Sequence, residues 1–558
     1  MSQVFPIVQT KPVAKGTPEF ETLRDNIVRE QFTDKVPAAL LLPKSLIDNP
    51  PKDVTSVPRS SGLLTTEELD ITENYDATAL AVAIREGKLT SVAVTTAFAK
   101  RAIIAHQLTC CLTEWFMDEA LAQAQTLDEH LKRTGKVLGP LHGVPISIKE
   151  HMQMAGHWSA DGYLASRTLD KEDAHTVGIL RKLGAVFYCK TNQPQGIMHL
   201  ETVTPYGRTL NPHNIHLSAG GSSGGEGALI ALRGSVLGMG SDIGGSIRGP
   251  AGFCGIYGFK PSSYYMPGQG HTHGGFPAEL TILATGGPMA VSLRDLDLLM
   301  SSVLGQRPFL REPSLVPIPW TGSRKALPQL PLKVGLMMND GVIQPQPPVT
   351  RALEWAKAQL SGAEAGLFDV KPFAPYRAAD AIKNIRQAYF PDGGAALKAG
   401  IAKTGEPLEH LTQWILQPSE GKRYTWQDMF NLRMERDDFR AKYADHWTQQ
   451  DVDVLIAPVF VGPASAHDTA LYWNYTAFFN YVDYPGVVIP TPLKALKKGE
   501  EQYASGEALS EEDAHVRKLW DEGDFEGAPI ALQIVARKYH DNELFAALEA
   551  MKNVLGLE

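Results

Sequence analysis

The chain has 558 residues, of which 43% are hydrophobic and 21% charged, a balance typical of folded globular proteins. Its net charge of −9 arises from acidic and basic residues that are mixed along the chain. Because no basic stripe is present, nucleic acid is not expected as a partner.

The four cysteines lack the spacing of a zinc site and are too few for a disulfide framework in so long a chain. The first residues show no signal peptide, and no apolar stretch approaches the roughly 20 residues needed to span a bilayer. We therefore expect a cytoplasmic protein with no bound metal and no integral membrane association. The sequence leaves a monomer or a homodimer open.

Residues 1–70 are rich in prolines and are predicted to form an N-terminal extension packed on the main body. Residues 71–558 are expected to form one large domain, because few boundary signals interrupt them. Within this domain, the proline-rich stretch 305–331 predicts a surface crossing between two halves. The charged stretch 497–519 predicts a solvated insertion.

Helical periodicity begins after Asp76, where Leu80 and Ile84 fall on one face. Thr90 or Ser91 is predicted to cap the helix that follows, because a hydroxyl can accept a hydrogen bond from the first turn.

Helices and strands then alternate along the chain. Asp173 is predicted to cap a helix that ends at Gly184, and residues 185–189 predict a buried strand. The later predicted elements are a strand at 334–338, a helix at 349–360, a strand at 367–370 and a strand at 452–459. This alternation predicts an α/β fold, with a buried sheet covered by helices on both faces.

Glycine is far denser between Ser218 and Pro261 than in the rest of the chain. A phosphate-binding Walker loop would need Lys after its last glycine, but Glu226 follows Gly225. A dinucleotide-binding fingerprint would need Gly or Ala at position 243, where Ile243 stands. Nucleotide binding is therefore not predicted.

Residues 221–225 match the G-x-S-x-G pattern of a nucleophile elbow, with Ser223 at its centre. Such an elbow needs a strongly apolar strand just before it, and residues 214–218 predict a poor strand. Ser223 is therefore not expected to be a nucleophile.

Residues 220–227 and 244–251, together with Asp242, fill every fixed position of a long serine- and glycine-rich pattern that also includes Arg248 and Pro250. In this pattern the chain resembles the amidase signature family. The resemblance implies that family's fold, a central mixed β-sheet with helices on both faces, and no cofactor. It covers about residues 75–550, with further matching stretches at 139–150, 258–261 and 527–533.

The resemblance implies a Ser-Ser-Lys triad, with Ser246 as nucleophile, Ser222 as bridging serine and Lys149 as base. It also implies a cis peptide bond between Gly221 and Ser222. A lysine acts as a base only when neutral, so burial must lower the pKa of Lys149 from roughly 10.4 toward neutrality. The apolar residues around Lys149 in the sequence favour such burial.

The glycines before Ser246 leave room for backbone N–H groups to approach a developing oxyanion. We expect Ile243, Gly244, Gly245 and Ser246 to form this oxyanion hole.

The loop around the nucleophile is expected to have three supporting residues. Asp242 and Arg248 would brace it through an ion pair or hydrogen bonds, and Ser223 would donate a further hydrogen bond. By resemblance, Ile197 and Met198 are expected to contact the substrate, together with the bridging serine.

Two other groups of residues have patterns that could indicate a functional role. His271 and His273 have the spacing of a metal pair, but they lack a nearby third ligand and are expected to belong to a polar loop. Aromatic residues between Tyr472 and Phe479 are expected in the core, with a few of them as candidates for acyl-pocket walls.

The predicted activity is hydrolysis of small to medium carboxylic amides to an acid and ammonia or an amine. Carbamates and esters are chemically accessible to the same triad. The alternatives are a lipid amidase similar to fatty acid amide hydrolases and a subunit of a tRNA amidotransferase. The segment 424–447 is heavily charged and is not expected to form an exposed apolar cap, which favours small or medium amides.

Overall fold

The computed structural model describes residues 4–272, 281–327 and 329–558. Its strands are β1 (Leu112–Trp115), β2 (Pro145–Lys149), β3 (Trp158–Ser159), β4 (Thr168–Leu169), β5 (Val186–Thr191), β6 (Val203–Thr204), β7 (Gly207–Arg208), β8 (Leu210–Asn211), β9 (Asn214–Ser218), β10 (Leu237–Asp242), β11 (Tyr257–Lys260), β12 (Thr285–Ala290), β13 (Leu332–Leu336), β14 (Phe368–Pro372), β15 (Val454–Pro458), β16 (Gly486–Lys494) and β17 (Pro529–Val535).

Its α-helices are α1 (Pro18–Val28), α2 (Lys44–Asp48), α3 (Val57–Ser60), α4 (Thr66–Asn74), α5 (Ala77–Arg85), α6 (Ser91–Thr109), α7 (Met117–Thr134), α8 (His175–Lys182), α9 (Gly224–Ala231), α10 (Arg248–Cys254), α11 (Leu293–Leu304), α12 (Pro347–Ser361), α13 (Ala378–Ala388), α14 (Ala395–Ala402), α15 (His410–Leu416), α16 (Trp426–Gln450), α17 (Asn474–Tyr481), α18 (Glu511–Glu522) and α19 (Asp541–Leu555).

Eleven strands form one mixed sheet in the order β1-β5-β2-β10-β12-β11-β16-β17-β15-β13-β14. Its two flanks contain parallel pairs, since β2 is parallel to β5 and β10, and β13 is parallel to β14 and β15. The strands from β10 through β12, β11, β16 and β17 to β15 pair antiparallel. Helices flank this sheet, and the predicted α/β class with a central mixed sheet is confirmed.

The neighbouring strands β2 and β10 position the site. Ile148 lies opposite Met239 in their parallel register. Because the carboxyl ends of parallel strands meet at the same edge of a sheet, Lys149 at the end of β2 lies beside the end of β10 at Asp242.

The first two predicted helices of the main body are present with their caps. The Asp76 side chain accepts a hydrogen bond from the Ala79 N–H at 2.8 Å and caps α5, and Thr90 caps α6 in the same way. Leu80 and Ile84 are fully buried, as the periodicity predicts.

The predicted cap at Asp173 is wrong. Its carboxylate instead accepts hydrogen bonds from Arg181 Nε at 2.8 Å and from the Ala155 N–H at 3.0 Å, and α8 begins after Ala174. The strand predicted at 334–338 is β13, which begins and ends two residues earlier. Its ends are set by its pairing with β14 and not by the run of hydrophobic residues.

The segment 214–218 forms strand β9, although its sequence predicts a poor strand. It pairs with β8 in a separate two-stranded ladder and is not part of the eleven-stranded sheet. The sequence that precedes Ser223 therefore differs from the central strand that a nucleophile elbow requires.

The N-terminal extension is packed against the main body. Phe5, Val8 and Leu40 are buried in the same hydrophobic core as α6, and the Val8 N–H donates to the Gln107 carbonyl oxygen at 2.8 Å. The predicted boundary at residue 70 falls inside α4.

Helix α16 exposes an apolar stripe that its charged sequence conceals. Trp426, Phe430 and Met434 follow one another at four-residue spacing and are 70%, 52% and 68% exposed. Residues at this spacing lie on one helix face, so a high average charge does not prevent a local apolar surface. The expectation that segment 424–447 exposes no apolar surface is therefore wrong at the amino end of α16.

Candidate active site

Lys149 is fully buried and contacts two hydroxyl groups. Its Nζ lies 2.7 Å from Ser222 Oγ and 3.1 Å from Ser241 Oγ. Burial lowers the pKa of Lys149 to about 7, although the charges of Asp242 and Glu226 oppose this shift. The amine is therefore substantially neutral near pH 7 and can accept a proton there.

The bridging serine follows a cis peptide bond between Gly221 and Ser222. A side chain at Gly221 would collide with the backbone of His199 and Glu201. The chain then enters α9 at Gly224, so Ser222 lies in the turn that joins β9 to this helix. Because these glycines have no side chains, the backbone can pack closely against its neighbours, which brings the Ser222 hydroxyl within hydrogen-bond distance of the Lys149 amine.

Ser246 lies in the loop between β10 and α10 and is 5% exposed. Its backbone carbonyl accepts a hydrogen bond from the Ser223 N–H at 3.0 Å, which ties the two serine clusters together. In the described part of the chain, no hydrogen bond joins Ser246 Oγ to Ser222 Oγ, and both residues line one cavity.

Asp242 and Arg248 brace the Ser246 loop. Arg248 Nε donates to Asp242 Oδ2 at 3.0 Å, and both side chains are fully buried. A second Arg248 nitrogen donates to Asn480 Oδ1 at 2.6 Å. Burial disfavours the Asp242 carboxylate, but the Arg248 charge and its hydrogen bonds hold the pKa of Asp242 well below its usual range.

The orientations of the peptide groups in this loop are fixed by their partners. The Gly245 N–H donates to Asp242 Oδ1 at 2.8 Å, so this member of the predicted oxyanion hole is already engaged by the carboxylate. The Ile243 carbonyl accepts from the Tyr389 hydroxyl at 2.9 Å. In a trans peptide the N–H points away from the preceding carbonyl, so the Gly244 N–H is directed away from Tyr389.

A cavity of about 350 Å³ opens beside the serines. Ser222, Ser241 and Ser246 lie on its wall, together with the predicted substrate contacts Ile197 and Met198. Ile197 has a φ of +61°, a left-handed conformation that is strained for a β-branched residue. Its peptide groups are therefore oriented differently from those of a regular helix or strand.

Sequence reasoning missed two polar residues around Lys149. Ser241 stands just before Asp242 at the end of β10, where the strand register alone could have placed it beside the lysine. Glu226 is buried beneath the site, where its carboxylate accepts hydrogen bonds from Ser147 Oγ at 2.6 Å and Thr191 Oγ1 at 2.9 Å. Burial raises the pKa of Glu226 to about 7.

The proline-rich crossing at 305–331 does more than connect two halves, since Glu312, Ser314 and Leu315 line the cavity. Of the aromatic residues between Tyr472 and Phe479, Tyr472 is partly buried and the others are buried in a neighbouring core, and none of them lines the cavity wall in the described ranges. His271 lies on that wall, and His273 lies outside the described residues.

The family model for amidases matches residues 93–545. The chain belongs to the amidase signature family. It is accordingly a hydrolase that acts on amide C–N bonds.

Individual relatives agree with this assignment. The chain is 42% identical to the protein C550.07 of Schizosaccharomyces pombe, which is named as an amidase, over 95% of this chain and 97% of the relative. It is 37% identical to the acetamidase of Emericella nidulans, over 90% and 93% of the two chains. Among solved structures, a fatty acid amide hydrolase matches with a TM-score of 0.90 and 33% identity, over 97% of each chain.

No helix in the described ranges combines the length and the apolar character needed to cross a membrane.

Proposed function

We propose that the chain hydrolyses small to medium carboxylic amides through an acyl-enzyme on Ser246, with Ser222 and Lys149 as the proton relay. The observation that carries this proposal is the contact of 2.7 Å between a fully buried Lys149 amine and Ser222 Oγ, on the wall of the cavity that also holds Ser246. A serine hydroxyl becomes an effective nucleophile only when a neighbouring base removes its proton.

In the first step, Ser246 Oγ attacks the amide carbonyl carbon and forms a C–O bond. The Ser246 proton passes to Ser222 Oγ while the Ser222 proton passes to Lys149 Nζ, so the lysine becomes an ammonium. Collapse of the tetrahedral intermediate breaks the C–N bond, and the same relay returns the proton to the departing amine. Water then attacks the ester along the same path and releases the acid.

The oxyanion formed in both steps needs hydrogen-bond donors. The N–H groups of Ile243, Gly244 and Ser246 are the donors we propose, because the Gly245 N–H is already bonded to Asp242. One such donor is typically worth about 3 kcal/mol in the transition state.

The substrate range follows from the same chemistry. A Ser-linked acyl-enzyme can form from an amide, a carbamate or an ester, because each presents a carbonyl carbon with a leaving group. A second candidate is hydrolysis of fatty acid amides, which is favoured by the 33% identity to a fatty acid amide hydrolase over nearly the whole chain.

The test compares butanamide hydrolysis by the purified single chain and three variants, with ammonia release as the readout. Ser246→Ala and Lys149→Met are expected to lower kcat by at least about a thousandfold. Lys260→Met is the matched control, because Lys260 is also a buried lysine, but its amine donates to the Pro261 carbonyl oxygen at 3.0 Å and contacts neither Ser222 nor Ser241 in the described chain. Full activity of Ser246→Ala would refute the proposed nucleophile.

A further inference from the structure

The size of the cavity beside Ser246 carries information about the acyl group. A cavity of about 150 Å³ accommodates a benzene ring. The cavity measures about 350 Å³, which is room for about two groups of that size. Acetamide, with a single methyl group on its carbonyl carbon, would leave most of this space unfilled.

Apolar side chains make up much of the wall. Met266, Leu283 and Leu315 line the cavity and are 4%, 8% and 7% exposed. Together with Met198 they offer a hydrocarbon surface next to the serines. A hydrocarbon chain on the substrate would leave water for this surface, which favours binding in proportion to the area buried.

The charge on the wall indicates which acyl groups are rejected. Among the described lining residues, Glu312 is the one Asp, Glu, Lys or Arg side chain. Its carboxylate accepts hydrogen bonds from His175 Nδ1 at 2.6 Å, the Gly268 N–H at 3.0 Å and the Gln269 N–H at 3.2 Å. No lysine or arginine is among the described lining residues, so a carboxylate at the far end of the acyl chain would meet the like charge of Glu312 without a lysine or arginine to offset it.

We propose that the site selects neutral amides whose acyl group is a hydrocarbon of about six to ten carbon atoms, in preference to acetamide and to monoamides of dicarboxylic acids. The inference rests on the proposed amide hydrolysis at Ser246. It narrows that activity to medium-chain acyl groups.

The experiment measures kcat/KM for acetamide, butanamide, hexanamide, octanamide and hexadecanamide with the full chain. Each methylene buried against the apolar wall should raise kcat/KM about fourfold. Hexanamide has about four more methylenes than acetamide and octanamide about six more, so the expected profile rises by about 250-fold at hexanamide and by up to about 4,000-fold at octanamide. It falls at hexadecanamide. Adipamic acid, the half-acid counterpart of hexanamide, should be hydrolysed at least about tenfold less efficiently than hexanamide.

A variant that fills the cavity provides the second arm. Gly268 lies on the wall, its φ is outside the left-handed region, and an added Cβ would meet no atom of the described chain within 4 Å. Gly268→Leu should lower the octanamide-to-acetamide ratio of kcat/KM at least about tenfold, whereas Gly268→Ala, the matched control, should lower it much less.

The outcomes separate the two proposals. A profile that is flat, that peaks at acetamide or that still rises at hexadecanamide, in an enzyme that is inactivated by Ser246→Ala, overturns the acyl-chain inference alone. Preference for adipamic acid over hexanamide also overturns it. Hydrolysis of none of these amides overturns the proposed function and the inference together.

Discussion

Lys149→Met should abolish activity and at the same time stabilise the folded chain. Lys149 is fully buried, and burial lowers its pKa from 10.5 to about 7. That change corresponds to about 5 kcal/mol of preference for the neutral amine. Methionine has an unbranched thioether side chain of similar length and carries no charge, so it can be buried at this position without that electrostatic cost.

The net gain is smaller than the full electrostatic cost. Methionine also loses the hydrogen bonds to Ser222 and Ser241, each worth about 1 kcal/mol. We therefore expect Lys149→Met to raise the free energy of unfolding by about 1–3 kcal/mol at pH 7 and below.

The pH dependence fixes the sign of this prediction. Between pH 7 and pH 10.5 the unfolded lysine is protonated while the folded one is neutral, so the unfolded state binds more protons. The stability of the wild type therefore rises relative to the variant by about 1.4 kcal/mol per pH unit in this window. The advantage of Lys149→Met is greatest below pH 7 and diminishes above it.

The assay is urea unfolding of both proteins at pH 6, pH 7.5 and pH 9, followed by tryptophan fluorescence. Shared pH effects cancel in the difference between the two proteins. A variant that is less stable than the wild type at pH 6, or a difference that does not change with pH, would refute the assignment of a strained, neutral lysine.

Three further predictions concern the residues around the triad. Ser241→Ala should lower kcat/KM about fivefold, because about 1 kcal/mol of hydrogen bonding that orients the Lys149 amine is lost. It should also move the acidic limb of the pH profile to lower pH, since an acceptor of the ammonium is removed, whereas Ser241→Thr should restore both values. Arg248→Met should lower the free energy of unfolding by about 3–5 kcal/mol in urea titrations, because it leaves a buried carboxylate without its cation. The control is Arg377→Met, which should change the free energy of unfolding much less, because Arg377 is exposed and exposed ion pairs contribute little. Equal effects of the two substitutions would contradict the bracing role. Gly245→Ala should lower kcat by at least about a hundredfold in steady-state assays, because a Cβ at φ +127° would collide with Thr476 and shift the Ser246 loop. Wild-type turnover by this variant would show that the loop conformation is not required.

The sequence predicts that the candidate site residues lie close together where one short segment contains most of them. Ser222 and Ser246 stand within one glycine-rich stretch, and the end of the β2 strand places Lys149 at the same sheet edge. The burial that lowers the pKa of Lys149 was predictable from its apolar neighbours, because those neighbours form an interior strand.

Other parts of the site depend on contacts between distant segments. Glu312 belongs to the proline-rich crossing at 305–331. Its position on the cavity wall results from packing between segments that are distant in sequence, so no local sequence pattern predicts it. The Gly245 N–H has its partner in Asp242, a contact set by the turn geometry of the loop and not by residue type. The exposed stripe on α16 depends on the four-residue spacing of Trp426 and Phe430, which the average charge of the segment does not reveal.

We propose that Ser246 is the nucleophile and that its reactivity depends on a neutral Lys149. The most direct test of this dependence measures the rate of inactivation by a fluorophosphonate as a function of pH and then identifies the labelled residue by peptide mapping. We predict a label on Ser246 and a rate that rises with pH through an apparent pKa of about 7, with labelling lost in Lys149→Met. A label on Ser222 or Ser223, or a rate that is independent of pH across this range, would contradict the account.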